Sequence, residues 1–251
     1  MQPSSFRVLC LVFLASFCIS HNVFSASRAE TQEVARLIAL LLSSGRVVLA
    51  EHQALINDAA KGDKGFTAAV FEAQVVEEFK KRSGGMDLRQ LDAAKIPDMG
   101  KSLLAALLAA GTEVVDGKQS IINEKFLGYK NVTPATWGTW TSLKFSQRSR
   151  VFLKQTALDY RNPNNAPDEF ETRILQKFAA PDYPREGGQI LSEVTNDGQT
   201  LRLMFPLYHK KDCLACHGTP KGEIDISGYR KEGHHEGELA GAISVAIPLS
   251  E

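Results

Sequence analysis

Cysteine is scarce in this sequence, with four residues in 251. Two of them lie within the first 26 residues, so the rest of the chain holds only Cys213 and Cys216. A chain with so few cysteines has no disulfide framework and must be stabilised by a buried core, for which its length is sufficient. A small disulfide-stapled secreted fold is therefore excluded.

An excess of charge of one sign is also absent. Lysine and arginine number 29 and aspartate and glutamate 29, which gives a formal net charge of zero. Nucleic acids and acidic membrane surfaces are usually bound through a strongly positive surface. The charge balance therefore argues against either of them as the main partner.

Long hydrophobic runs are missing as well. The apolar stretch Val8–Ile19 is shorter than the roughly 20 residues that a helix needs to span a bilayer. It follows a single basic residue, Arg7, and precedes the small residues Ser25 and Ala26, as in a secretory signal peptide. We therefore expect residues 1–26 to be a signal peptide cleaved near Ser25/Ala26. We also expect export to the periplasm and no retained transmembrane helix.

A lipid anchor at Cys18 is not expected. The residue before a lipidated cysteine is normally small, whereas the bulky Phe17 precedes Cys18. Cleavage leaves residues 27–251 as a single domain whose two cysteines enter an oxidising compartment. An unoccupied pair of thiols would tend to form a disulfide there.

The two remaining cysteines lie in the motif Cys213-Leu214-Ala215-Cys216-His217. Two thiols three residues apart, followed by a histidine, are the signature of covalent c-type haem attachment. The thiols can form thioethers with the two vinyl groups of one porphyrin, and the next residue then lies beneath the iron. The motif predicts one covalent haem c, bound through Cys213 and Cys216, with His217 as the proximal iron ligand.

Two other uses of the motif are weaker. A thiol redox pair would lie at the start of a helix in a βαβ unit. Here a strand-like run precedes the motif and Gly-Thr-Pro-Lys-Gly, residues 218–222, follows it. A zinc site would need further ligands, which the pair His234-His235 could supply. Export favours haem, because c-type haem is attached outside the cytoplasm.

Hydrophobic periodicity predicts helices first and strands afterwards, an α+β arrangement. The predicted helices cover residues 31–58, 67–82, 97–110 and 169–179. The predicted strands cover residues 121–122, 126–127, 151–153, 189–194, 199–205 and 240–247. Gly45, within the first helix, marks either a close crossing of helices or a break between two of them.

Three segments together resemble a known family. They are residues 161–171 (Arg-Asn-Pro-Asn-Asn-Ala-Pro-Asp-Glu-Phe-Glu), residues 213–218 and residues 237–245 (Gly-Glu-Leu-Ala-Gly-Ala-Ile-Ser-Val). The family contains single-haem proteins with a PAS-like fold, long catalogued as a domain of unknown function. Its members occur alone in the periplasm or as exported input modules of sensor kinases and chemoreceptors. The resemblance runs from about residue 31 to 249 and implies a PAS-like antiparallel sheet with N-terminal helices around one haem c.

The resemblance also raises the question of the sixth iron ligand. In this family a cysteine on the first long helix can fill the distal position, and no cysteine is available there. His52 lies on the apolar stripe of that helix and is the predicted distal ligand. The alternatives are a core histidine with another ligand, or an open or water-filled site. Other candidate ligands are His209, Met86, Met99, Met204 and the pair His234-His235.

Further residues can be placed near the haem by their chemistry. Arg161 could pair with a haem propionate, and the alternative is that it braces carbonyls of its own loop. Trp137, Trp140 and Tyr160 could line the haem or belong to the core. Segment 231–237, Lys-Glu-Gly-His-His-Glu-Gly, is interpreted as a solvated hairpin.

The resemblance implies sensing of redox state or of a small ligand such as a diatomic gas. A small monohaem electron carrier between periplasmic redox partners is the alternative. The identity of the sixth iron ligand distinguishes a sensor from an electron carrier. An open iron site binds gases, whereas a histidine or methionine ligand favours electron transfer. The lack of a recognisable output domain after Leu249 favours the carrier. We do not expect an enzyme, since no motif provides a distal base.

Overall fold

The structure is a computed structural model that describes residues 26–185, 189–195 and 198–249. The predicted signal peptide, apart from Ala26, lies outside the described residues, and Cys18 lies outside them too. Among the helices that are described, none combines the length and the apolar character needed to cross a membrane.

From residue 28 to residue 148 the regular secondary structure is helical, and loops connect the helices. Helix α1 (Arg28–Glu51) begins at a capping box, in which the Ser27 hydroxyl accepts from the Glu30 N–H and the Glu30 carboxylate accepts from the Ser27 N–H. His52 separates α1 from one further turn, so the predicted first helix is confirmed with a break near its end. The helices that follow α1 are α2 (Gln53–Ile56), α3 (Ala68–Arg82), α4 (Asp98–Asp116), α5 (Gln119–Ile122) and α6 (Pro134–Arg148).

The second half of the chain forms a four-stranded antiparallel sheet in the order β1-β4-β3-β2. Its strands are β1 (Phe152–Thr156), β2 (Leu191–Thr195), β3 (Thr200–Tyr208) and β4 (Leu239–Pro248), with α7 (Glu169–Ala179) between β1 and β2. The predicted α+β class, with N-terminal helices before an antiparallel sheet, is confirmed. The sheet is consistent with the predicted PAS-like fold.

Alternate residues of the sheet face two hydrophobic cores, as the pleat of a strand requires. Leu203 and Val245, which are paired across β3 and β4, belong to the larger core together with α1. Met204 points the other way and packs with Phe178 of α7. Helix α1 contacts β3 and β4 as well as α3, α4 and α6, so it lies between the sheet and the other helices.

Gly45 marks a close crossing, and α1 is continuous through it. A Cβ atom at Gly45 would lie 2.9 Å from Cζ2 of Trp137, and one at Gly111 would lie 2.8 Å from the same atom. The Trp137 indole N–H donates to the Gly111 carbonyl at 3.1 Å. Trp137 therefore belongs to the helical core, the second of its two predicted roles.

Three local predictions were wrong. Residues 121–122 belong to α5, and residues 126–127 lie in a loop in which Phe126 has φ +65° and is 92% exposed. Two apolar residues in a row fit a helical turn as well as a strand. Helix α4 continues past Gly111 to Asp116, and Gly111 lies against Trp137. Helix α6 was not predicted, although Thr133 and Pro134 form a typical helix start.

Candidate functional site

The cysteine motif lies directly after β3. A 3₁₀ turn, Lys211–Cys213, leads into the short helix α8 (Leu214–His217). Both cysteines are free thiols of intermediate exposure. Gly218 ends the helix where a Cβ atom would lie 2.6 Å from the Leu214 carbonyl oxygen, so a side chain does not fit. The structure thus presents two adjacent thiols and the histidine on one turn of helix.

The His217 ring is held from behind by a carboxylate. Its Nδ1 lies 2.8 Å from Oε2 of Glu232. An ionised carboxylate only accepts hydrogen bonds, so Nδ1 carries the proton in this pair. In a neutral imidazole Nε2 then keeps its lone pair, and that nitrogen makes no hydrogen bond within the described part of the chain. His217 is therefore in the tautomer that binds iron through Nε2.

The electrostatics of the pair agree with this tautomer. Burial lowers the pKa of His217, and the hydrogen bond that its ring donates to Glu232 only partly offsets this, so the neutral form predominates at neutral pH. Burial raises the pKa of Glu232, but the hydrogen bonds from Arg161 and His217 outweigh it and lower that pKa to about 2. A neutral imidazole thus donates to an ionised carboxylate, and a neutral imidazole is the form that binds a metal.

Arg161 joins three parts of the site. Its Nε and Nη2 donate to the two oxygens of Glu232 at 2.6 and 2.9 Å, and its Nη1 donates to Asp225 at 2.7 Å. Its Nη2 also donates to the Cys216 carbonyl at 2.9 Å. Arg161 therefore braces the segment that carries the cysteine motif and not the carbonyls of its own loop. Its contact with a haem propionate stays a prediction.

Asp225 anchors a short turn beside the site. Its Oδ1 accepts from the Ser227 N–H and hydroxyl and from the Tyr229 N–H, while Oδ2 accepts from Arg161. Burial raises the pKa of Asp225, but these bonds outweigh it and lower that pKa to about 2. An antiparallel bridge between Ile224 and Arg230 closes the turn.

Segment 231–237 folds back over His217 and is more than a solvated hairpin. The N–H groups of Gly233 and His234 donate to the His217 carbonyl at 3.1 and 2.8 Å. The ring of His234 stacks on that of His209, with centroids 4.6 Å apart, and the centroid of His209 lies 5.3 Å from that of His217. The earlier interpretation is wrong for Glu232, Gly233 and His234.

His209 is the most buried of these three histidines, at 5% exposure. Burial, followed by the neighbouring His234 and His217, lowers its pKa to about 4. Its Nδ1 has no hydrogen-bond partner among the described residues. Within those residues no group of three or more His, Cys, Asp or Glu side chains is arranged to hold a metal ion.

Arg46 brings α1 to the cysteine side of the site. Burial lowers its pKa to about 10, and nearby Cys213 acts in the opposite direction. The guanidinium donates to the carbonyl of Pro134 at 3.2 Å and to Gln155. Burial, followed by the neighbouring Cys216, raises the pKa of Tyr129.

His52 is half-buried at the end of α1, where its ring stacks on Phe66 with centroids 4.4 Å apart. Its Nδ1 lies 2.9 Å from the Val48 carbonyl oxygen. A carbonyl oxygen can only accept, so Nδ1 of His52 is the donor in this bond. The structure does not bring His52 into contact with His217, and its role as distal ligand stays a prediction.

The other residues considered for the haem environment are scattered. Met204 packs under α7, Met86 packs against the larger core, and Met99 is 40% exposed on α4. Trp140 lies beneath the Lys118 ammonium group, 4.3 Å from the ring centroid, and Tyr160 is exposed.

Four residues of the site were not identified as such from the sequence. They are Arg46, Tyr129, Asp225 and Glu232. Asp225 and Glu232 are charged residues in a loop, which normally predicts a solvated turn, whereas Arg46 lies on α1 and Tyr129 is uncharged. The spacing along the chain relates none of the four to the motif. The Arg161 loop was singled out by resemblance, but its partners were not.

Comparisons of sequence and of structure relate this chain to known proteins. A sequence model of the Tll0287-like family matches residues 25–248. A structural comparison finds similarity to the crystal structure of the cyanobacterial heme-protein Tll0287, with 19% sequence identity and a TM-score of 0.43. That similarity covers 62% of this chain and 98% of the other. A search of curated proteins finds no match.

Proposed function

Because its sequence matches the family model over residues 25–248, the chain belongs to the Tll0287-like family, and from this premise we propose that it is a periplasmic protein with one covalent haem c. Cys213 and Cys216 form the thioethers and His217 is the proximal iron ligand. The observation that carries the proposal is the tautomer of His217, whose Nδ1 is engaged by Glu232 at 2.8 Å while Nε2 keeps its lone pair. The thiols lie on the same turn.

The haem iron supplies one-electron chemistry and, where a coordination position is open, binding of small ligands. We propose that the protein senses redox state or a diatomic ligand and is not an enzyme. A monohaem electron carrier is the second candidate. The carrier follows if His52 is the sixth ligand, because two histidine ligands suit electron transfer more than gas binding.

The experiment uses the full chain, produced with its N-terminal segment and a c-type haem maturation system. The pigment should stay with the protein through acid–acetone extraction, and the intact mass should rise by one haem. C213A or C216A should keep at most one thioether at low yield, whereas H235A, which alters an exposed histidine, should mature normally. Clean extraction of the pigment from the wild-type protein would show that the proposal is wrong.

The same mass measurement tests export. The mature chain should begin near Ala26 or Ser27 and carry no acyl group. A diacylglycerol adduct at Cys18 would contradict this. Binding of carbon monoxide to the ferrous protein separates the two candidate functions, because rapid binding requires an open iron position and slow or absent binding indicates two protein ligands.

A further inference from the structure

The contact between Glu232 and His217 has a consequence for the iron, provided that the proposed function is correct. The two residues are separated by 15 positions in the chain, and Oε2 of Glu232 lies 2.8 Å from Nδ1 of His217. The side chains are 20% and 35% exposed, so water weakens this interaction less than it would at the surface. The carboxylate lies on the side of the ring opposite the nitrogen that would bind iron.

Glu232 is held in place from a second direction. The Arg161 guanidinium binds both of its oxygens, with Nε to Oε1 at 2.6 Å and Nη2 to Oε2 at 2.9 Å. Two parallel bonds of this kind fix the plane of a carboxylate as well as its position. The orientation of Glu232 toward His217 therefore does not depend on the His217 contact alone.

The charge of Arg161 is shared with a second carboxylate. Its Nη1 donates to Asp225 at 2.7 Å, so one guanidinium faces two carboxylates. These three groups together carry one net negative charge behind the imidazole. Arg161 orients Glu232 without cancelling the negative charge that the ring experiences.

A metal-bound histidine commonly donates its other ring N–H to a carboxylate, and this hydrogen bond raises the basicity of the ligating nitrogen. A more basic ligand stabilises the ferric state more than the ferrous state, because the ferric iron carries the higher charge. Axial ligation and hydrogen bonds to the ligand are among the means by which a protein sets a haem potential.

We propose that Glu232 is a positioning residue for the haem iron, which acts through Nδ1 of His217 to strengthen the proximal bond and to lower the reduction potential. Arg161 holds Glu232 in the required orientation. The Nδ1 proton stays on the imidazole, and no bond to the haem is made or broken by this interaction.

The test is spectroelectrochemical titration of the covalently loaded protein and two variants. E232Q keeps a side-chain oxygen of similar size but removes the charge. At a fixed potential its ratio of ferrous to ferric protein should rise at least about tenfold, which is 59 mV for one electron.

E238Q is the matched control. Glu238 binds His234 and His235 in the same segment, and hydrogen bonds lower its pKa to about 2. E238Q also removes one negative charge, but Glu238 does not contact His217. The ratio of ferrous to ferric protein in E238Q should change less than about threefold. Equal shifts in E232Q and E238Q would overturn the proposal, because they would show a general effect of charge.

Two further measurements make the outcome decisive. Covalent pigment in the wild-type protein tests the proposed function separately, so equal shifts in correctly loaded variants would overturn only the role of Glu232.

If E232Q does not mature, proton NMR of the ferrous wild-type protein decides. A His217 Nδ1 proton that exchanges slowly with water supports the hydrogen bond, and one that exchanges freely overturns it.

Discussion

The guanidinium of Arg161 donates from Nη2 to the carbonyl oxygen of Cys216 at 2.9 Å, although the two residues are 55 positions apart. This bond ties the loop after β1 to helix α8, which contains Cys216 and begins directly after Cys213. The same guanidinium forms ion pairs with the carboxylates of Asp225 and Glu232. Arg161 is thus the point at which three separate loops meet.

Removing this guanidinium should destabilise the fold. R161Q leaves Asp225, whose side chain is fully buried, and Glu232 without their partner. Breaking a buried ion pair from one side costs about 3–5 kcal/mol. Urea denaturation at neutral pH should show a loss in this range. R173Q, which breaks an exposed pair with Glu193, is the control and should cost less than about 1 kcal/mol. If R161Q lost no more stability than R173Q, the Arg161 network would contribute little to the free energy of unfolding.

The distal position is tested at His52. If Nε2 of His52 binds the iron, the ferric wild-type protein should be low-spin and six-coordinate. H52A should become high-spin and should bind carbon monoxide faster when reduced, as shown by optical and electron paramagnetic resonance spectra and flow kinetics. H235A is the matched control, since its side chain is 72% exposed and should leave the spectra unchanged. Unchanged spectra in H52A would return His52 to a role in packing against Phe66.

The buried carboxylate of Asp225 predicts a pH dependence of stability. Its pKa is lowered from 3.8 to about 2 in the folded state, so the folded protein binds fewer protons than the unfolded chain between these values. Stability therefore rises with pH in this window, and about 2 kcal/mol is present above pH 4 and lost as the pH falls to 2.

The variant D225N isolates this contribution. Urea denaturation should show the wild-type protein as more stable at pH 7, and the difference should narrow between pH 4 and pH 2. D98N changes a side chain that is 95% exposed and should behave as the wild-type protein at every pH. A difference that does not depend on pH would assign the effect of D225N to hydrogen-bond geometry and not to charge.

The crossing of α1 and α6 is tested at Gly45. A Cβ atom there would lie 2.9 Å from Cζ2 and Cζ3 of Trp137, closer than packing allows. Overpacking a core costs about 1–3 kcal/mol, which exceeds the gain of about 0.5–1 kcal/mol from replacing glycine by alanine in a helix. Thermal denaturation should show a lower midpoint for G45A. G117A, at the end of α4, meets two backbone oxygens at 3.4 and 3.9 Å and should be neutral.

Features that depend on neighbouring residues in the chain could be predicted from the sequence. The apolar periodicity of α1, the Thr67 and Asp168 caps of α3 and α7, and the strand character of β3 and β4 depend on local sterics and on one buried face. The cysteine motif is also local, because both thioethers and the axial ligand need one turn of chain. Cys213, Cys216 and His217 could therefore be predicted as site residues from the sequence alone.

The surroundings of the motif were decided by the tertiary structure. Glu232 reaches His217, and Arg161 reaches Glu232, because the pairing of β1 and β3 with β4 brings the two loops to one end of the sheet. Spacing along the chain carries no signal for such contacts. Likewise, nothing in the sequence around Trp137 indicates that its ring packs against both Gly45 and Gly111. Ion pairs and close crossings between distant segments depend on how the elements pack, which a single sequence does not specify.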